Sequence, residues 1–186
     1  ILSLPLAGII AGLSGVALAI PTSKLHGIYL AIATLAVSIL VDDLIVIAEP
    51  LTGGINGLLA PTIDIFGIQF DRYGTPVRFY GLILFVTVLV VLAYRNIQRS
   101  PLGRSFAAVR DSEISAQAMG VNVARTKAVA FGISTAITGL AGALMGHFAG
   151  IFNNETFTII ISIQMLLMIV IGGLGSIHGA FFGAVV

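Results

Sequence analysis

The chain has 186 residues, of which 58% are hydrophobic and 9% charged, with a formal net charge of +1 and no cysteine. Its mean hydropathy of +1.09, with a charged fraction far below the roughly 25% of soluble domains, excludes a water-soluble globule and defines an integral membrane protein. Without cysteine, disulfides, thiolate chemistry and cysteine metal sites are excluded together.

Apolar runs fall at 1 to 20, 28 to 48, 79 to 94, 128 to 152 and 159 to 186, each near the roughly 20 residues that cross a bilayer. They predict an all-α fold, a polytopic transmembrane helix bundle. The chain starts at Ile1 without methionine and ends in an apolar run at Val186. It therefore reads as a single transmembrane domain, 1–186, that is a fragment truncated at both ends.

After the first run, the loop from Pro21 to Gly27 carries Lys24. The second run ends near Asp42 and Asp43. Their plain reading is carboxylates reaching outer-surface water, and the sharper one is an ion or substrate path, which intramembrane carboxylates can mark. Thr52-Gly53-Gly54-Ile55-Asn56-Gly57 follows, a sequence able to turn with exposed backbone N–H and C=O groups. It is either a connecting loop or a receptor for the charged ends of an amino acid. Within the outer loop from Pro50 to Pro76, the alternation Ile63, Ile65, Ile68, Phe70 predicts a small hairpin.

The segment from Arg95 to Lys127 is the most informative. It holds six basic residues, Arg95, Arg99, Arg104, Arg110, Arg125 and Lys127, together with Asp111 and Glu113. Each cation would cost roughly 3 kcal/mol at the centre of a spanning helix, so the segment reads as a solvent-facing loop. Inside it, Arg110 to Gly120 has Asp or Ser as N-cap, good helix formers and a glycine stop. This predicts a capped helix of about eight residues, Ser112 to Met119, only about 12 Å long. Such a helix is too short to be stable alone in water and needs something to dock against. Ile114 and Ala118 share one face and Ser115 turns away, which leaves a small apolar face rimmed by charge. That is the make of a knob for a partner's groove, or of an interfacial helix lying on the bilayer.

Two runs rich in glycine complete the chain. Gly142, Gly146 and Gly150 repeat at four, as do Gly175, Gly179 and Gly183, the spacing of close helix packing in lipid. The run Gly172-Gly173-Leu174-Gly175-Ser176-Ile177-His178-Gly179 should break its helix, either as a turn between two helices or as backbone lining a cavity. Seven basic residues lie in the loops at 21–27 and 95–127, against Arg72 and Arg78 in the others. The positive-inside rule puts the first two loops in the cytoplasm, and Glu49–Arg78 and Asn153-Asn154-Glu155 outside.

No catalytic or metal constellation is visible. His26, His147 and His178 lie in separate segments, and no pair has metal-ligand spacing on one helix face. No G-x-x-x-x-G-K-[ST] loop is present, so any ATP would be hydrolysed by another subunit.

Four stretches, in order, carry a resemblance: Gly27-Ile28-Tyr29-Leu30-Ala31-Ile32-Ala33-Thr34-Leu35-Ala36; Leu51-Thr52-Gly53-Gly54-Ile55-Asn56-Gly57-Leu58; Gly103-Arg104-Ser105-Phe106-Ala107-Ala108-Val109-Arg110-Asp111-Ser112-Glu113 through Met119-Gly120-Val121-Asn122; and Ile171-Gly172-Gly173-Leu174-Gly175-Ser176-Ile177-His178-Gly179. Together they resemble the permeases of high-affinity branched-chain amino acid ABC transporters, LivM type. The resemblance implies a transport subunit, not an enzyme, in the bacterial inner membrane. It would import leucine, isoleucine and valine with a homologous permease, two ATP-binding subunits and a periplasmic binding protein, with ATP used by the partner and no cofactor on this chain. It places Arg104, Arg110, Asp111, Glu113, Ala116 and Gly120 in a cytoplasmic loop carrying the coupling helix that contacts the ATPase. Thr34, Thr52, Gly53, Gly54 and Asn56 fall near the translocation region. Ile39 stands where many relatives have a polar residue, and Asp42-Asp43 depart from the family pattern.

Three rival readings remain at this stage. One is an amide, urea or sugar permease of the same superfamily, separable by competition assays. Another is a membrane scaffold subunit that moves nothing, supported by the glycine motifs and silent about the charged loop. The third is a secondary transporter, for which the spans show no buried ion-pair relay.

Overall fold

The computed structural model describes residues 3–22, 28–53, 57–60, 63–65, 68–70, 74, 76–152, 157–173 and 175–185. In chain order the helices are α1 (Ser3–Thr22), α2 (Ile28–Ile47), α3 (Glu49–Thr52), α4 (Pro76–Arg99), α5 (Pro101–Asp111), α6 (Glu113–Ala118), α7 (Val123–Ala149), α8 (Ile159–Gly172) and α9 (Ile177–Val185). The strands are short: β1 (Leu58–Leu59), β2 (Ile63–Ile65), β3 (Ile68–Phe70) and β4 (Ile151–Phe152). The fold is all-α, as the apolar runs predict.

Among the described residues, α4 and α7 are each long and apolar enough to cross a membrane. The pair α8 and α9, bent by 116°, is a third candidate if taken as one span. The five apolar runs thus become two full-length spans, one broken pair and the apolar helices α1 and α2. Two compact units form: Ile1–Ile39 with Ala60–Gly150, and Leu40–Leu59 with Ile151–Val186.

In the first unit, α1 packs antiparallel on α7, and the fit depends on missing side chains. A methyl carbon added at Gly12 would lie 3.1 Å from Ala136 Cβ and 3.3 Å from the Gly132 carbonyl oxygen, and one at Gly8 would lie 3.0 Å from Leu140 Cγ. At Gly15 it would collide with Thr135, and at Gly139 with Ala11 and Ala7. In lipid, where tails are as apolar as leucine, such close backbone approach supplies dispersion that larger residues would forfeit. At one end of the pair, Ser3 Oγ and His147 Nε2 share a hydrogen bond of 3.3 Å. The sequence repeat Gly142, Gly146, Gly150 is divided in use: Gly146 is buried on α7, whereas Gly150 caps its C-terminus with φ of 80°.

The other span of this unit, α4, meets α7 through Phe79, 4% exposed, whose ring stacks on Phe148 with centroids 6.3 Å apart. The hairpin forms as the alternation predicts: β2 and β3 are antiparallel, with Ile63 opposite Phe70 and Ile65 opposite Ile68.

In the second unit, β1 pairs antiparallel with β4, Leu58 opposite Phe152 and Leu59 opposite Ile151. Nothing in a two-residue apolar step announces such a pairing. The glycine-rich run breaks the last segment as expected, and α9 then folds against α8. An added Cβ at Gly179 would strike the carbonyl oxygens of Gly172 and Gly173, and one at Gly183 that of Met168. Ser176 Oγ accepts from the Gly179 N–H at 2.9 Å and so satisfies one free donor at the start of α9.

Candidate functional site

The basic stretch expected as a loop is mostly helix. Spanning helix α4 continues to Arg99 and α7 begins at Val123, so Arg95 and Arg99 end one helix while Arg125 and Lys127 open the other. Between them lies α5, a helix where the charges predict a loop, and its start is set by Ser100-Pro101. Ser100 Oγ accepts from the Gly103 N–H at 3.4 Å, and Pro101 takes the first helical position, where no N–H is needed. Gly103 permits the sharp return, because a Cβ there would collide with the carbonyl oxygens of Ile97 and Gln98 at the end of α4.

Ser112 ends α5 and starts α6. Its backbone is extended, with φ −161° and ψ 113°. Its N–H donates to the Ala108 carbonyl at 3.0 Å, and its Oγ accepts from the Ser115 N–H at 3.2 Å. The predicted helix is therefore real but shorter than expected, six residues instead of about eight, because Ser112 and Met119 are its caps. The chain leaves through Gly120, whose φ of 84° suits glycine. The Val121 N–H then donates to the Ala116 carbonyl at 3.0 Å. Asn122 Oδ1 accepts from the Arg125 N–H at 3.0 Å and caps α7.

Docking of α6 is visible in its exposures. Ala116 is 0% exposed and Ile114 84%, so one face is buried against the protein while Ile114 and Ala118 point outward, as their spacing requires. Glu113, at the first position of α6, meets Lys127 on α7, whose Nζ lies 2.8 Å from both carboxylate oxygens. The lysine side chain is only 13% exposed. That corrects the expectation of a solvent-facing cation, and the physical reason is its partner: a cation can be held in a semi-buried place when it is paired and hydrogen-bonded. Beside this pair a cleft of about 480 Å³ is lined by Glu113, Ile114, Gln117, Gly120, Val121, Asn122, Val123 and Ala124.

Of the other residues assigned to coupling, Arg104 is exposed on α5. Arg110 pairs with Asp111, Nε to Oδ1 3.1 Å, with side chains 73% and 69% exposed. A pair so open to water contributes at most about 1 kcal/mol. Arg110 also borders a cavity of about 420 Å³ between α4, α5 and α7, lined among others by Tyr94, Gln98, Phe106, Ile133, Ser134 and Thr138. Glu113, Ala116 and Gly120 thus build the short helix, while Arg104, Arg110 and Asp111 belong to the helix before it.

The residues placed near a translocation region fall apart into the two units. Thr34 is exposed on α2 in the first. Thr52 and Gly53 are in the second, where the Thr52 hydroxyl lies 2.6 Å from the Ile45 carbonyl oxygen and 3.0 Å from that of Ala48. Gly53 ends α3 with φ of 74°. This hydroxyl closes the joint between α2 and α3, a structural use that the turn-like sequence does not reveal. Gly54 and Asn56 lie outside the described residues.

Two long apolar spans joined by a basic, helix-rich segment that displays a small apolar knob define a helical protein built to cross a membrane. Comparison with known proteins agrees: residues 1–186 match the family described as branched-chain amino acid transport system / permease component, and the chain belongs to that family. It is 34% identical to the high-affinity branched-chain amino acid transport system permease protein LivM of Escherichia coli over 98% of this chain and 48% of that protein. With the LivM of Salmonella typhimurium it shares 35% identity over the same proportions. It is also 34% identical to the fructose import permease protein FrcC of Rhizobium meliloti over 68% of this chain and 36% of that protein. The chain spans about half the length of the LivM relatives. No solved structure matches it.

Proposed function

We propose that the chain is part of a permease subunit of an ATP-driven ABC importer that carries leucine, isoleucine and valine across the bacterial inner membrane, in which it is multi-pass. Its partners are a homologous permease, two ATP-binding subunits and a periplasmic binding protein, and ATP is consumed on the partner with no cofactor held by this chain. The observation that carries this reading is α6. A capped helix of six residues, pinned inward by Ala116 and Glu113 and turning Ile114 outward, suits a groove on a partner, whereas an interfacial anchor would bury Ile114 in lipid. The likeness to LivM along 98% of the chain supports the substrate class. Alternating access requires two arrangements biased by ATP, and α6 is where closure of the nucleotide subunits would reach the bundle.

A second reading, a sugar permease of the same family, is favoured by the likeness to the fructose permease over 68% of the chain. Labelled leucine uptake by the full-length protein, with its partner subunits and an intact or catalytically dead ATPase, decides between them. Uptake that depends on the live ATPase and is competed by isoleucine and valine is expected. Uptake of fructose but not leucine by the assembled complex would transfer the substrate to sugars, and uptake indifferent to the ATPase would end the ABC reading.

A further inference from the structure

We infer that Lys127 is a positioning residue for coupling: it latches the short helix α6 to the spanning helix α7, so that a push on α6 is delivered to the membrane bundle. This inference rests on the proposed role of α6. Three observations support it. A helix of six residues cannot hold itself together in water, so its orientation is set by whatever it touches. An ion pair joins it to a spanning helix, Glu113 to Lys127, with both carboxylate oxygens 2.8 Å from Nζ. That pair is semi-enclosed, with side chains 33% and 13% exposed, unlike the open Arg110–Asp111 pair.

The location of Lys127 explains what the latch does. It lies near the start of α7, which runs on to Gly132 and Gly139, where α1 packs without room for a Cβ. A tilt imposed at Glu113 is therefore taken up by the α1–α7 pair. The chain connection through Gly120, with φ of 84°, and Val121 is a turn, and the charge pair ties α6 to α7 beside it.

At 13% exposed, the Lys127 side chain is too enclosed to serve as a surface charge. Its removal takes from Glu113, a semi-buried carboxylate, the cation that both its oxygens face.

The test uses the complete importer in proteoliposomes and measures substrate moved per ATP hydrolysed, for Lys127→Gln, Lys127→Arg and the exchanged pair Glu113→Lys with Lys127→Glu. Lys127→Gln is expected to insert and assemble but to lower this ratio at least about fivefold, within the range usual for coupling between sites, because hydrolysis continues while transport falls. Lys127→Arg and the exchanged pair are expected to recover most of the ratio, since each restores opposite charges across the joint. A Lys127→Gln variant with normal stoichiometry would overturn the latch. If Lys127→Gln fails to assemble, the exchanged pair decides: assembly with coupled transport supports the latch and its failure refutes it. The outcome separates from failure of the coupling reading itself, because Ile114→Asp on the outward face uncouples the importer if α6 engages the ATPase, whatever Lys127 does. A silent Ile114→Asp would fell that reading and this inference with it.

Discussion

Ser112 does two jobs with one side chain and one amide. Its N–H closes α5 on the Ala108 carbonyl and its Oγ opens α6 at the Ser115 N–H. Replacing a capping serine by alanine costs typically about 1 kcal/mol, and here the loss falls on a helix with no stability to spare. Ser112→Ala is expected to loosen α6 while leaving α4 and α7 in place. Amide hydrogen exchange should show faster exchange confined to residues 113–118, and unchanged protection of α6 would contradict the capping role. Ala116 is constrained differently: at 0% exposed it has no room for a larger group, and overpacking of this kind typically costs 1–3 kcal/mol.

Helix packing in this molecule is decided by glycine, and the informative positions were only partly legible. The repeats at Gly142 to Gly150 and Gly175 to Gly183 invite attention because they are regular, and Gly146, Gly179 and Gly183 do lie at buried places. Gly8-x-x-x-Gly12 has the same spacing and packs on α7 at Gly132, Ala136 and Leu140. It was readable by the same rule, but its partner, with Ala136 interposed, has no perfect repeat. Gly12→Leu is expected to separate α1 from α7 and lower the thermal midpoint of the protein in detergent by several degrees. Gly81→Leu serves as the control, since nothing lies within 4 Å of a Cβ there. Equal midpoints for the two variants would show that α1 and α7 do not depend on close approach. The short helix was legible from its caps alone, because capping chemistry is local. Its partner Lys127 was not, because an ion pair across 14 positions leaves no mark on either neighbourhood. Helix α5 falls between these cases: its serine-proline start was there to read, but its charges drew it towards a loop.

Orientation in the bilayer follows from the distribution of charge along the whole chain. With seven basic residues in segments 21–27 and 95–127 and two elsewhere, the positive-inside rule predicts α5 and α6 in the cytoplasm and the β2–β3 hairpin outside. The lack of native cysteine makes this easy to check in the full-length protein, provided any cysteines it carries elsewhere are replaced. Gly74→Cys is expected to react with a membrane-impermeant thiol reagent from the outer side, and Ser105→Cys only after the membrane is opened. The reverse pattern would invert the protein and remove α6 from any cytoplasmic ATPase. The extensive apolar exposure of α2, α4 and α8, including Ile39, Leu44, Leu84, Phe85, Leu166 and Ile171, is what a lipid-facing bundle presents. It is also why burial could not identify a core here in the way it does in water: hydrocarbon tails solvate these side chains as well as other helices do.

The two long spans share an aromatic contact, the stack of Phe79 on Phe148. Helices α4 and α7 touch there at one end, and at the other a cavity of about 420 Å³ opens between them, bridged by α5. The arrangement is that of a pair of tongs, with a cross-bar of 11 residues about 16 Å long near the handles. On the reading proposed above, a swing of the cross-bar would change the gap at that end while the aromatic pair holds the other. Widening the gap at one end of this helix pair then need not part the other.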